Sequence, residues 1–194
     1  MEITIGIVRS TVILLGILVL ASYVWGVSKM SSPKELWGGI PSSWQKKIIP
    51  FMFLAAIGFL VFWWITMYSL SVEELKQLRY PWSEDDNMGL TRIFWAYVAF
   101  LIPSMLWLES TRFHERTSYS WTPYLVTGVL TCATFGNILL LLLGYSAYQQ
   151  AFQGGDLMLL GMIALAYQVI INDLVLWTYK YPWSPESITE TEGP

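Results

Sequence analysis

Ile48 to Leu70 is a run of 23 residues without a single charged side chain. A bilayer's hydrocarbon layer takes roughly 20 residues of helix to cross, and inside it every backbone N–H and C=O must pair within its own segment. A soluble domain rarely carries such a run. The stretch therefore reads as a transmembrane helix, and the rest of the chain has to be organised around it.

Four more apolar runs are candidates for the same role. The first, Ile7 to Val27, is interrupted only by Arg9, Ser10, Thr11 and Ser22. The third, Ile93 to Leu108, is short and holds Pro103. The fourth runs from Pro123 to Tyr148 and the fifth from Leu157 to Thr178, with Asp173 inside it. The expected fold is all-α: a polytopic helical membrane protein with five spans at about 7–27, 48–70, 91–109, 122–148 and 156–178. Residues 1–184 form one transmembrane domain in this reading, and 185–194 an acidic tail with little intrinsic structure. The first run also has the outline of a signal peptide, Arg9 preceding an apolar core and small residues following at Ala21 and Ser22. The reading taken is a retained helix.

Composition agrees. Hydrophobic residues make up 55% of the chain and charged residues 13%, about half the charged share of soluble domains. The 11 Trp and 11 Tyr suit the headgroup region, because each joins an apolar body to a polar tip. A net charge of -3, with 11 basic residues dispersed among 14 acidic ones, argues against nucleic acid as a partner. One Cys (Cys132) and one His (His114) argue against an internal disulfide and against a Cys/His metal site.

The connections have their own signals. Ser32-Pro33-Lys34-Glu35 combines a capping hydroxyl, a proline for the first helical position and a carboxylate that reaches back, with Gly38-Gly39 as a stop. Ser71-Val72-Glu73-Glu74 repeats the device, so a short surface helix is expected in each of the first two loops. Trp37 and Trp44, with Lys46 and Lys47, are suited to anchor the first loop at headgroup level. Glu109 to Ser120 reads as a short polar loop, and Gly154-Gly155 as a tight turn. Arg79-Tyr80-Pro81-Trp82-Ser83 and Lys180-Tyr181-Pro182-Trp183-Ser184 are alike. They follow spans that end on opposite sides, and two interfacial anchors of one composition are the simpler reading than an inverted repeat. Lys and Arg in the loops put seven basic residues on the side of the first loop, the third loop and the C-terminus, and four on the other. The positive-inside rule then places the N-terminus outside and the C-terminus in the cytoplasm.

Polar residues inside spans are the candidates for chemistry. Asp173 leads, since an ionisable group within a span costs at least a few kcal/mol and normally has a partner or a watery path. On an α-helix Gln168 and Asn172 share a face, while Asp173 points about 100° away, toward the side of Ala166, Ile170 and Trp177. The alternatives are a proton or cation site and a helix-to-helix hydrogen bond near the interface; the second is the reading taken. On the fourth span Thr127, Thr131, Thr134 and Asn137 recur at three- and four-residue steps as a polar stripe that should face protein or water. Beside it Gly128, Cys132 and Gly136 form a small-residue surface for close helix packing. Meeting of this stripe with Gln168, Asn172 and Asp173 would create a polar core.

Pro103, followed by Ser104, should bend or break the third helix. With Trp63, Trp64, Trp95 and Trp107 it outlines a possible wall for an apolar pocket, against which membrane anchoring of the Trp residues is the preferred reading. His114 among the charges of Glu109 to Arg116 reads as an ordinary polar loop and not as an acid–base pair. There is no Gly-x-Ser-x-Gly, no zinc-spaced His and Glu pair, no phosphate-binding glycine loop and no potassium-filter sequence. No Lys lies in mid-span to hold a retinal Schiff base. No catalytic or metal-ligating residue is assigned, and no cofactor is specified.

The layout of five short helices, abundant Trp and a Trp-bearing first loop is similar to that of the tryptophan-rich translocator family, which binds porphyrins and sterols. The similarity is one of layout, and no site residue is carried over from it. Three functional classes follow: a non-catalytic accessory or scaffold subunit of a larger membrane assembly, which is the reading taken; a binder or carrier of a lipid, sterol or pigment; and an ion or proton pathway through Asp173 and the Thr/Asn stripe. The expected partners are the lipid bilayer and other membrane subunits or further copies of the chain.

Overall fold

The computed structural model describes residues 3–30 and 37–183. Within them every regular element is helical, and five helices are long and apolar enough to cross a membrane: Ile5–Ser28, Ser42–Ser69, Gly89–Thr117, Thr122–Gln149 and Gly155–Lys180. The first is α1 (Ile5–Ser28), the third α4 (Gly89–Thr117) and the fourth α5 (Thr122–Gln149). The second is α2 (Ser42–Trp64) continued by a π-helical segment, Ile65–Ser69. The fifth starts as α6 (Gly155–Ala166), turns π-helical over Tyr167–Trp177 and ends in α7 (Thr178–Lys180). By length and composition this is an all-α, multi-pass membrane fold.

The short α3 (Val72–Gln77) stands where Ser71 and Glu74 predict it, and both halves of the capping box are made: Ser71 Oγ accepts from Glu74 N at 3.2 Å, and Glu74 Oε2 accepts from Ser71 N at 2.8 Å. The matching signal at Ser32 to Glu35 and the acidic tail lie outside the described residues.

The third span departs from expectation. It runs as one helix to Thr117, so residues 109–117 are helix and not loop. Their polar groups find partners that the sequence hides. Arg112 is buried and paired to Glu109 at 2.7 Å, one turn back. Ser110 and Thr111 hydroxyls donate to the Trp107 carbonyl, and His114 Nδ1 meets Thr122 Oγ1 of α5 at 2.7 Å. The Thr122 hydroxyl gives its single hydrogen to the Tyr119 carbonyl, so it accepts from a protonated His114 Nδ1. Nor does Pro103 break the helix, which passes through it without interruption.

The spans are not arranged in chain order. Neighbours run first, third, fourth, fifth, second. Glycines set the closest approaches. A Cβ added to Gly161 of the fifth span would lie 2.6 Å from the Gly58 carbonyl oxygen of the second, and one at Gly155 2.6 Å from the Ala147 carbonyl oxygen of α5; neither backbone can yield as a side-chain tip would. The main core fills the space between these spans around Phe62, Tyr97, Leu140 and Met158. On α1 the buried residues are Val8, Val12 and Gly26, while Leu14, Ile17, Leu20 and Val24 face outward, as lipid-facing side chains would.

Candidate functional site

The fifth span carries a connected chain of polar side chains inside the bundle, and it depends on the π-helical segment. With i→i+5 bonding the chain winds more slowly than an α-helix, so residues five apart come onto one face. Gln168 Nε2 donates to Asp173 Oδ1 at 2.8 Å, and Asn172 Nδ2 donates to Gln168 Oε1 at 2.9 Å. The expectation that Asp173 points away from Gln168 and Asn172 assumed α-helical winding, and the π segment reverses it. Gln168 and Asn172 are buried, and Asp173 is partly so.

Three spans converge here. Tyr23 comes from α1. The Tyr23 ring lies 6.0 Å from that of Trp107 on α4, and Trp107 meets Trp177 edge-on at 5.6 Å. From Trp177 an aromatic cluster continues to Tyr181 (4.5 Å), Trp183 (4.6 Å from Tyr181) and His114 (5.4 Å from Trp183). Tyr181 donates its hydroxyl to Glu115 and Trp183 its indole N–H to the Thr178 carbonyl. The first loop is strapped to this end: Gly38, with φ of +51°, sits against the Tyr181 ring, where a Cβ would lie 2.8 Å from Cδ2. Trp107 Nε1 and Thr178 Oγ1 are buried in this region without a hydrogen-bond partner among the described residues. The sequence marks Tyr181 and Trp183 only as interfacial anchors, and nothing in it signals that they join Trp107 and His114.

The stripe on α5 divides. Thr134 and Asn137 are buried, and Thr134 Oγ1 and both polar atoms of Asn137 have no partner among the described residues. Thr131 is exposed and turns its hydroxyl back to the Thr127 carbonyl at 2.8 Å. The small-residue surface divides likewise. Gly136 packs on the Ala99–Phe100 backbone, whereas Gly128 has open space around it and Cys132 is exposed.

Depth along the bundle follows from the pairs already named. Gly144 faces Met158 and Gly155 faces Ala147, and counting down the two antiparallel helices puts Thr134 about level with Gln168. The buried polar groups of the fourth and fifth spans thus occupy adjacent layers.

The Trp residues do not gather. Trp63 and Trp64 both pack on Tyr68 at the C-terminal end of the second span, Trp95 is exposed beside Phe94, and Trp107 lies at the opposite end of the bundle. Trp64 instead borders a shallow apolar groove of about 330 Å³ with Ile57, Leu60, Val61, Ile65 and Leu157, open to the outside. At that same end Arg9 donates from Nε to the Met67 carbonyl at 2.9 Å, and from Nη2 to the same oxygen, and lies 5.2 Å over the Tyr68 ring. Its charge thereby meets the negative end of the second span.

In each Tyr-Pro-Trp segment the Trp folds back on its Tyr, stacked at 5.2 Å for Tyr80 and the exposed Trp82 and tilted at 4.6 Å for the buried Tyr181 and for Trp183. No family model, curated protein or solved structure matches the chain.

Proposed function

We propose that this chain handles protons within the membrane, with Asp173 as the titrating group and Gln168 and Asn172 as the amides that hold it. The observation that carries the reading is the Gln168 to Asp173 hydrogen bond inside a span. Placing a carboxyl group there is costly, and the chain adopts π-helical winding where it holds that group. π segments inside α-helices are frequent at functional sites.

The chemistry favours protons over a metal cation. A dehydrated cation wants several oxygens turned toward it, whereas here one carboxylate oxygen already accepts an amide N–H. With the positive-inside orientation, N-terminus outside and C-terminus cytoplasmic, Asp173 lies nearer the cytoplasmic face.

The test is reconstitution into liposomes enclosing a pH-sensitive dye, with a potassium diffusion potential as driving force. Wild-type vesicles should take up protons at least tenfold faster than vesicles carrying Asp173→Asn. Equal rates in wild-type, variant and protein-free vesicles would sink the reading.

A packing subunit of a larger membrane assembly is the second reading. It is supported by the outward face of α5, where Gly128 has nothing within 4 Å and Cys132 is exposed, a surface on which another helix can approach closely. Native mass spectrometry from mild detergent decides it: a stoichiometric protein partner supports the reading, and a chain that appears alone or only with itself removes it.

A further inference from the structure

Three contacts trace the seam between the second and fifth spans, which run antiparallel. Gly58 meets Gly161 backbone to backbone, the Phe51 ring lies 4.9 Å from the Tyr167 ring, and at one end Lys180 Nζ lies 5.8 Å from the Trp44 ring. The same ammonium is 5.3 Å from the ring of Tyr179. Gly39 of the first loop abuts the Lys180 carbonyl so closely that a Cβ there would strike it, which leaves this backbone no room on the loop side. Helical winding then sorts the lysines of α2. Lys47 stands three residues after Trp44 and four before Phe51, so it shares their side of the helix, beside the fifth span. Lys46 points about 160° away from Trp44 and about 100° away from Lys47, off the seam.

Neither lysine is matched by a carboxylate: among the described residues the ion pairs are made by Arg79, Arg92 and Arg112. Lys47 is exposed and Lys180 half-buried. Past Lys47 the same edge of α2 continues as Phe51 and Leu54, and Tyr167 faces it from the fifth span; all three are exposed. The seam therefore offers uncompensated positive charge at its end and an open apolar edge leading away from it. An amphiphile with an anionic head matches both halves. Inorganic phosphate would use the lysines alone, and a zwitterionic head would bring an ammonium of its own toward them. Basic pockets between transmembrane helices are known to take anionic headgroups.

We propose that the seam between α2 and the end of the fifth span holds an anionic phospholipid, its phosphate between Lys47 and Lys180 and an acyl chain along Phe51, Leu54 and Tyr167. Trp44 steadies Lys180 through cation–π attraction, and its ring suits the headgroup level where the phosphate lies. The site does not depend on the proton reading.

Native mass spectrometry of the full chain tests it, with phosphatidylglycerol and phosphatidylcholine of identical acyl chains offered together in mild detergent. The wild type should retain at least fivefold more phosphatidylglycerol, and Lys47→Gln combined with Lys180→Gln should bring the two lipids to about equal retention. Lys47→Arg combined with Lys180→Arg keeps the charges and should keep the preference, which separates lost charge from lost fold. Lys46→Gln removes a charge from the same turn on the far side and should keep it as well. Equal retention by the wild type, an unchanged preference in the double Gln variant, or a matching loss in the Arg or Lys46 variants each overturns the proposal. Incubation beforehand with inorganic phosphate, at constant ionic strength, should leave the phosphatidylglycerol in place. Its displacement would mean that the lysines bind phosphate without a chain, and would overturn the lipid assignment.

Discussion

Gln168 Nε2 and Asp173 Oδ1 lie 2.8 Å apart although five residues separate them on one helix. α-Helical winding would turn their side chains well away from each other. The π-helical stretch Tyr167–Trp177 makes the pair possible, and the pair in turn gives the stretch a hydrogen bond between side chains that an α-helix would forgo. Asn172, donating to Gln168, completes a three-residue chain in which each amide is held by its neighbour.

This geometry separates two substitutions of the same carboxylate. Asp173→Asn keeps an oxygen for the Gln168 amide and should leave thermal stability nearly unchanged. Asp173→Leu removes the acceptor and strands the amide N–H, which should cost about 1–3 kcal/mol. Thermal unfolding followed by intrinsic fluorescence in detergent compares them, and equal melting temperatures for the two variants would contradict the hydrogen bond.

The second and fifth spans meet backbone to backbone at Gly58 and Gly161. A methyl group at Gly161 has no side-chain tip to push aside, so Gly161→Ala should destabilise the bundle by about 1–3 kcal/mol, the usual range for overpacking. Gly128→Ala, on the open face of α5, should stay within about 0.5 kcal/mol as surface changes do. Denaturation of both variants in the same detergent checks the contrast, and a loss at Gly128 to match that at Gly161 would mean that its face is covered by a second copy.

Asp86 closes the entry to α4. The Met88 backbone N–H, donating at 3.0 Å, holds its carboxyl below the ordinary carboxylate range, and the Arg92 guanidinium at 2.8 Å adds to this. A lowered carboxyl pKa stabilises the fold through the ionised form. That contribution is fully present above the ordinary pKa of about 3.9 and is lost as pH falls through the lower folded value. Hydrogen exchange at the Met88 amide should therefore be flat from about pH 5 to pH 8, after correction for intrinsic rates, and rise in strong acid. Asp86→Asn should exchange faster across that plateau and approach the wild type in strong acid, and an unchanged rate on the plateau would remove the clamp.

What the sequence marks about this protein is five long apolar runs, each of them part of a helix long and apolar enough to cross a membrane, since a segment that pairs its own backbone in hydrocarbon writes its length into a continuous apolar run. It also settles α3, because the Ser71 and Glu74 capping box is a local exchange of hydrogen bonds. Tertiary structure decides the rest. Residues 109–117 look like a loop until Glu109, Trp107 and Thr122 are seen to serve Arg112, Thr111 and His114. Thr131 and Thr134 belong to one stripe by spacing, yet one is exposed and the other buried, because a helix's neighbours, and not its own period, decide which of its faces is covered. Asp173 faces Gln168 only because the winding changes from α to π beneath them, and reading a helix from its sequence presupposes a fixed winding.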